Sequence, residues 1–384
     1  MKNVEDTNSQ DILSEKKSYI KSITNSKFLM TLIRHNKHNR KGVVDVQFNW
    51  IFVMIAGFVI FLFIISIALS QKHNAENQMS IDVMNQITTL LNGKQQTPNM
   101  YSEISFTRAD VVFTCDPSFN LFSFKIANAQ PIMLPVDMIF APKQVNTNKL
   151  LVWSQPFTLG FPVGVFTYVT TPDAIILIYN KSATSTYANE LFTDLNITSN
   201  ISHEYMTDEN DYSNFARRTI VCFNDDANPP SNSCPIAQNY DYIKISPAAP
   251  ASSSVTSLFD YGTVTFHKKG STNADKSSPY ITKAGLYGAI FSNSNDFYKC
   301  QMSRALTQFE IKRELMQTRM ILIQNDLPDE SDCRVTINET LESEIMSMQN
   351  PVLSPIDITN LYTQSNQLDI KNTYLALYSC PKLY

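Results

Sequence analysis

The chain has 384 residues, enough for one large domain or two modest ones with a proper core and no need of a small-scaffold staple. Its charge is split: residues 1–70 hold nine Lys and Arg against five Asp and Glu, while the remaining 314 hold 22 against 30, so a stretch near +4 precedes a body near −8. An acidic body without a basic run lacks the clustered cations that phosphate binding requires, and nucleic acid is not expected as a partner.

In chain order, residues 1–45 read as a basic tail. From Val46 to Gln71 no residue is charged, and the stretch WIFVMIAGFVIFLFIISIAL is almost wholly apolar. About 20 such residues, rising 1.5 Å each, span the core of a bilayer, so 46–70 is predicted to be a transmembrane helix. A soluble core helix would show a polar stripe, and the apolar region of a cleaved secretory signal is only about 7–15 residues long. Lys27, Arg34, Lys37, Arg40 and Lys41 precede the segment and only Lys72 follows closely. The positive-inside bias then predicts a signal-anchor in the cell membrane, with a cytoplasmic N-terminus, an extracytoplasmic body and Trp50 at the inner interface.

No proline occurs between Asp45 and Thr97, and Val83, Met84, Ile87, Leu90 and Leu91 recur at helical spacing before Gly93. The spacing predicts one helix of about 45 residues, in lipid over its first half and packing one apolar face onto the outer domain over 71–93. From residue 101 to 384 the pattern predicts a mixed α/β domain ending in helices. Short β-rich runs come first, at EISFT (103), DVVFTC (110), LFSFKI (121), VDMIFA (136) and VFTYVT (165). DAIILIYN (173) is continuously apolar, as a central strand is; a helix at about 184–195 separates it from RRTIVCF (217), YIKIS (242) and YGTVTFH (261). Strand, helix, strand of that composition predicts a βαβ unit in a mixed sheet. Met302, Leu306, Phe309, Met316, Met320 and Ile323 then alternate by four and three, interrupted at Arg313. A helix packed on the domain's own sheet is the plainer reading and an interface with a partner helix the sharper one. Ser354, Pro355 and Asp357 mark a final helix start, followed by Leu361, Leu368 and Leu375 on one face.

All six cysteines, Cys115, Cys222, Cys234, Cys300, Cys333 and Cys380, follow the apolar segment, an even set that predicts disulfides in an oxidising compartment. Cys222 and Cys234 flank a short loop and are the local pair; Cys380 is left open between Cys333 and Cys300. Sequons at Asn180, Asn196, Asn200 and Asn338 all fall in the outward part and are candidate N-glycosylation sites.

Signals for chemistry are sparse. Nine glycines form neither phosphate-cradling motif, and His73, His203 and His267 have no H-E-x-x-H or CxxC beside them. No GxSxG elbow occurs. The acidic clusters Asp208, Glu209, Asp211 and Asp326, Asp329, Glu330, Asp332 lack the turn glycine of a calcium loop and read as solvated turns. No catalytic, cofactor or metal residue is assigned, no small-molecule ligand is named, and a non-enzymatic role is expected.

Two resemblances add to this. Arg40-Lys41-Gly42 followed by Val43, Val44, Asp45, Val46, Gln47, Phe48 and an apolar helix resembles the processing site of archaeal type IV pilin-like proteins, although Val43 and Gln47 stand where those proteins favour Gln and Glu. That resemblance implies cleavage between Gly42 and Val43 ahead of a filament-core helix. VQFNWIFVMIAG, YGTVTFHKKG, AGLYGAIFSN and SCPKLY together are similar to a family of single-pass membrane proteins of small-genome archaea with no established activity, which implies an envelope setting and no mechanism. The expected role is a membrane-anchored cell-envelope protein whose partners are the lipid bilayer and other envelope proteins or copies of itself. A pilin-like subunit and a ligand-binding or sensor ectodomain are the alternatives.

Overall fold

The computed structural model describes residues 44–96, 99, 101–116, 121–126, 129–134, 138–179, 186–198, 201–206, 214–215, 217–223, 241–248, 257–269, 276–328, 331, 333–334, 337, 341–348, 351–377 and 379–384. The chain divides into two compact units, Met1–Lys72 and His73–Tyr384. Helix α1 (Val44–Gln96) contributes to both.

In the first unit the segment Trp50–Gln71 is 22 residues of helix containing an 18-residue window of mean hydropathy 3.0, and none of it is buried. It is long and apolar enough to cross a membrane. Its composition explains both facts: an Ile, Val, Phe and Leu run without proline closes every backbone hydrogen bond internally and leaves the apolar side chains facing outward all round.

The second unit is built on two six-stranded sheets. The first holds β1 (Tyr101–Asp116), β2 (Leu121–Ile126), β3 (Ile132–Leu134), β4 (Met138–Phe140), β5 (Gln144–Leu159) and β6 (Phe161–Thr170) in the order β3-β2-β1-β5-β6-β4. Neighbours are antiparallel except β4 beside β6. The runs at 103 and 110 are a single 16-residue strand, irregular between Ser105 and Ala109; Thr107 and Arg108 at that bulge give the break that reads as two strands in sequence. Gly160 turns β5 into β6 at φ +70, a conformation that favours glycine, and a side chain there would meet Leu368 and the Ser365 carbonyl.

The second sheet holds β7 (Ala174–Tyr179), β8 (Ser202–Met206), β9 (Arg217–Phe223), β10 (Tyr242–Pro247), β11 (Tyr261–His267) and β12 (Lys276–Ile281) in the order β12-β11-β10-β9-β7-β8. Strand β7 is parallel to both β8 and β9, with helix α2 (Thr186–Thr198) between β7 and β8. The βαβ unit therefore closes on the polar strand SHEYM, which lacks an apolar run, and β9 pairs on the other side of β7. The composition of β7 follows from its place: Ile176 and Ile178 face the main core, and Ile175 and Leu177 join Ile220, Cys222 and Tyr242 on the other face.

Helix α3 (Thr282–Ser292) touches β4, β5 and β6 of the first sheet and β11 and β12 of the second. Everything from Ala284 to Ser292 is buried. Two features fit it there. A Cβ on Gly288 would lie 2.7–3.0 Å from the Phe140 ring, so that ring's approach requires glycine. Trp153, Tyr168 and Phe291 gather with Tyr287, the Trp153 and Tyr287 rings 5.0 Å apart, and the Tyr168 hydroxyl donates to the Ala284 carbonyl at 2.9 Å.

Helix α4 (Asn295–Asp326) lays Met302, Leu306, Phe309 and Met320 into the same core. Arg313, which interrupts that seam in sequence, is buried and ion-paired with Glu310 at 2.6 Å. The seam thus packs within its own domain. The first sheet's other face carries a second core in which Val83, Met84, Ile87 and Leu91 of α1 join Val111, Phe113 and Phe122. Helices α5 (Glu342–Ser347) and α6 (Pro355–Leu377) follow. At the start of α6 the Asp357 amide donates to Ser354 Oγ at 3.2 Å and that hydroxyl donates to the Asp357 carboxylate at 2.6 Å, satisfying an amide the first turn would leave unpaired.

Candidate functional site

Helix α2 binds the second sheet through Ala188, Leu191 and Leu195, which are buried. Its outward side borders an open cleft of about 480 Å³ lined by Thr186, Asn189, Glu190, Thr193, Asp194 and Phe259. Four-residue spacing puts Glu190 and Asp194 on one edge of the helix, where both reach across to other elements. Glu190 accepts from the Ser257 hydroxyl and, at 3.1 Å, from the Leu258 amide. Asp194 is ion-paired with Lys283 and accepts from the Tyr287 hydroxyl at 2.5 Å. The Lys283 ammonium also stands 5.3 Å from the centroid of the Phe259 ring, within cation–π range.

These contacts hold the segment 257–260 and the first turn of α3 against α2. The Tyr280 hydroxyl, donating to the Leu258 carbonyl at 2.9 Å, adds to them. Burial, reinforced by the charges of Asp260 and Glu190, pushes that hydroxyl far above the ordinary tyrosine range, so it serves as a fixed donor. Both oxygens of each carboxylate are engaged in fastening. Among the lining groups, Asn189 also accepts from the Tyr205 hydroxyl at 2.7 Å. What the cleft offers a visitor is the half-buried Phe259 and the exposed Thr186 and Thr193, a surface suited to contact. Among the described residues no group of three or more His, Cys, Asp or Glu could hold a metal ion.

The structure distributes the residues named from sequence. Gly42 and Val43 lie outside the described residues, as do Asn180, Asn200, Asn338 and Cys234. Asn196 is exposed in the last turn of α2, its Oδ1 3.1 Å from His203 Nε2. Cys115 at the end of β1 is joined to Cys300 in α4, with Cα atoms 6.1 Å apart, and Cys333 is joined to Cys380, with Cα atoms 5.5 Å apart. Cys222 is also disulfide-bonded. None of these residues lines the cleft. The cleft itself was missed in sequence, because its aromatic comes from a segment 65 residues beyond Asp194; the one signal that could have found it is the Glu190–Asp194 spacing on the predicted helix.

No family model, no curated protein and no solved structure matches this chain.

Proposed function

We propose that the protein is a membrane-anchored component of a cell envelope, held by Trp50–Gln71 and presenting the His73–Tyr384 unit outside the cytoplasm for structural or adhesive contact. The observation that carries this reading is the pairing of a 22-residue helix, apolar and wholly unburied, with a body whose described cysteines are all disulfide-bonded. The tail's Lys and Arg excess supplies the orientation. The cleft beside α2 fits the same role, since its carboxylates brace a surface and its exposed groups are those of recognition. Protease added to intact cells should degrade an epitope in residues 101–384 and spare an N-terminal tag, with the protein resisting alkaline carbonate extraction. Protection of that epitope, or recovery of the chain in the soluble fraction, would sink the proposal.

One observation favours a second reading. The described helix runs without a break over Val44–Gln96, and Arg40-Lys41-Gly42 precedes it in the sequence, as the two would stand in a pilin-like subunit cut after Gly42. N-terminal sequencing from native membranes decides it: a start at Val43 in chains recovered from filaments supports assembly, and an intact Met1 removes it.

A further inference from the structure

Helix α4 carries two apolar lines. The inner one lies in the domain's own core. Residues two positions further along sit about 200° round the helix axis, so Ile311, Leu315, Thr318 and Leu322 form a second line on the opposite side. Ile311 and Leu315 are each 54% exposed and Leu322 is 60% exposed. Isolated exposed aliphatics are ordinary, but these three, with Thr318 between Leu315 and Leu322, fall in a four-three-four spacing, the d-a-d-a register of a coiled-coil seam. A helix with one apolar stripe is matched by one core, and a second stripe opposite the first is matched by a second apolar surface.

The margins of the stripe indicate what that surface is. Glu314 and Arg319 are both exposed and lie on opposite sides of it, at the g and following e positions. In two identical helices packed in parallel, g of one faces the e five residues on in the other, so Glu314 meets Arg319 of the second copy, twice by symmetry. Antiparallel packing brings like margins together and sets Glu314 against Glu314. We propose that the outward stripe of α4 is a homodimer interface in which two copies of this chain pack α4 against α4, in parallel, about a twofold axis. A two-heptad seam is smaller than the roughly 800 Å² per partner of a stand-alone interface. Association is therefore weak in dilute solution and raised where both copies share one membrane. That enhancement rests on the anchoring proposed above; the α4 register does not.

Cysteine cross-linking tests it in the full-length chain, where no described cysteine is free to interfere. Ile311→Cys, Leu315→Cys and Leu322→Cys, oxidised mildly in native membranes, should each give a reducible dimer, and Ile356→Cys, at an exposed position of α6, should give little. Dimer at only one of the three, at none, or equally at Ile356→Cys overturns the proposal; a stripe lying on the bilayer surface gives the second of these results. Glu314→Arg or Arg319→Glu in the Leu315→Cys background should lower dimer yield about fivefold, and the two together should restore it. Failure of the double reversal to restore it rejects the parallel register. Should the chain prove soluble, the same cross-links are read on the soluble protein, so this test and that of anchoring fail separately.

Discussion

Among the described residues, two stretches of helix are apolar on every side: α3, buried from Ala284 to Ser292 between two sheets, and Trp50–Gln71, twice as long and not buried at all. Each needs surroundings of its own kind, and length decides which. Eleven residues rise about 16 Å, far short of a bilayer core of about 30 Å, whereas 22 residues rise about 33 Å. Side-chain size differs in step. Helix α3 carries the small residues Ala284, Gly285, Gly288 and Ala289, and Gly288 admits the Phe140 ring of β4, while Trp50–Gln71 is crowded with Phe, Ile and Leu that nothing in the protein has to fit.

The largest effect that would break this contrast is charge in the longer helix. Val59→Lys with Leu62→Lys should cost about 3 kcal/mol at each site for insertion. Carbonate-resistant protein should disappear while the melting of the His73–Tyr384 unit is unchanged; a coupled loss of melting would show that the segment packs on protein. Leu286→Ala reverses the experiment. It opens a cavity in α3 and should destabilise the domain by about 2–5 kcal/mol in denaturant titration, with membrane extraction unaltered.

A smaller effect comes from the tyrosines around α3. Burial raises the hydroxyls of Tyr168, Tyr280 and Tyr298 above the ordinary value near 10. The neutral form is the one the fold accepts, so their contribution is complete below about pH 10 and is lost as pH rises above it, toward the folded-state values. Tyrosinate absorbance and loss of fold should therefore rise together above pH 10, and ionisation that precedes unfolding would show these hydroxyls to be accessible. The smallest effect is at the entry to α3. Thr282 holds φ +62, a strained conformation for a β-branched residue, and Thr282→Gly should stabilise the domain by up to about 1 kcal/mol. A clear fall in midpoint would mean that the Thr282 side chain does more than the backbone strain removes.

The contrast also shows what the sequence made legible. Uniform runs announce themselves: the membrane-length segment needs only composition, and the buried strand β7 needs only a continuous apolar run between turn residues. The α6 cap is equally local, since Ser354, Pro355 and Asp357 are adjacent. Elements whose character comes from distant partners did not announce themselves. Strand β5 opens with Gln144, Asn146, Thr147 and Asn148, residues that read as a loop, and is a strand because β1 and β6 pair with it along its length. Strand β8 is polar and owes its place to β7. Helix α3 is too short, and too rich in glycine, to declare a period. In α4 the inner line masked the outer one, because two apolar stripes on opposite faces cancel the asymmetry by which an amphipathic helix is recognised. The α2 cleft needed α2, the 257–260 segment and α3 to be brought together before its carboxylates had anything to hold.

The Cys115–Cys300 bridge has a mechanical meaning. Its cysteines are 185 residues apart in sequence, a length of chain that would stretch to about 650 Å if drawn straight. The Cys333–Cys380 bridge closes a further 47, worth about 160 Å. Under a steady pull between the two ends, most of the second unit's length cannot be drawn out while these bonds last. The protein would respond to tension with a short yield followed by a stiff stop, and only a reducing agent would release the stored length.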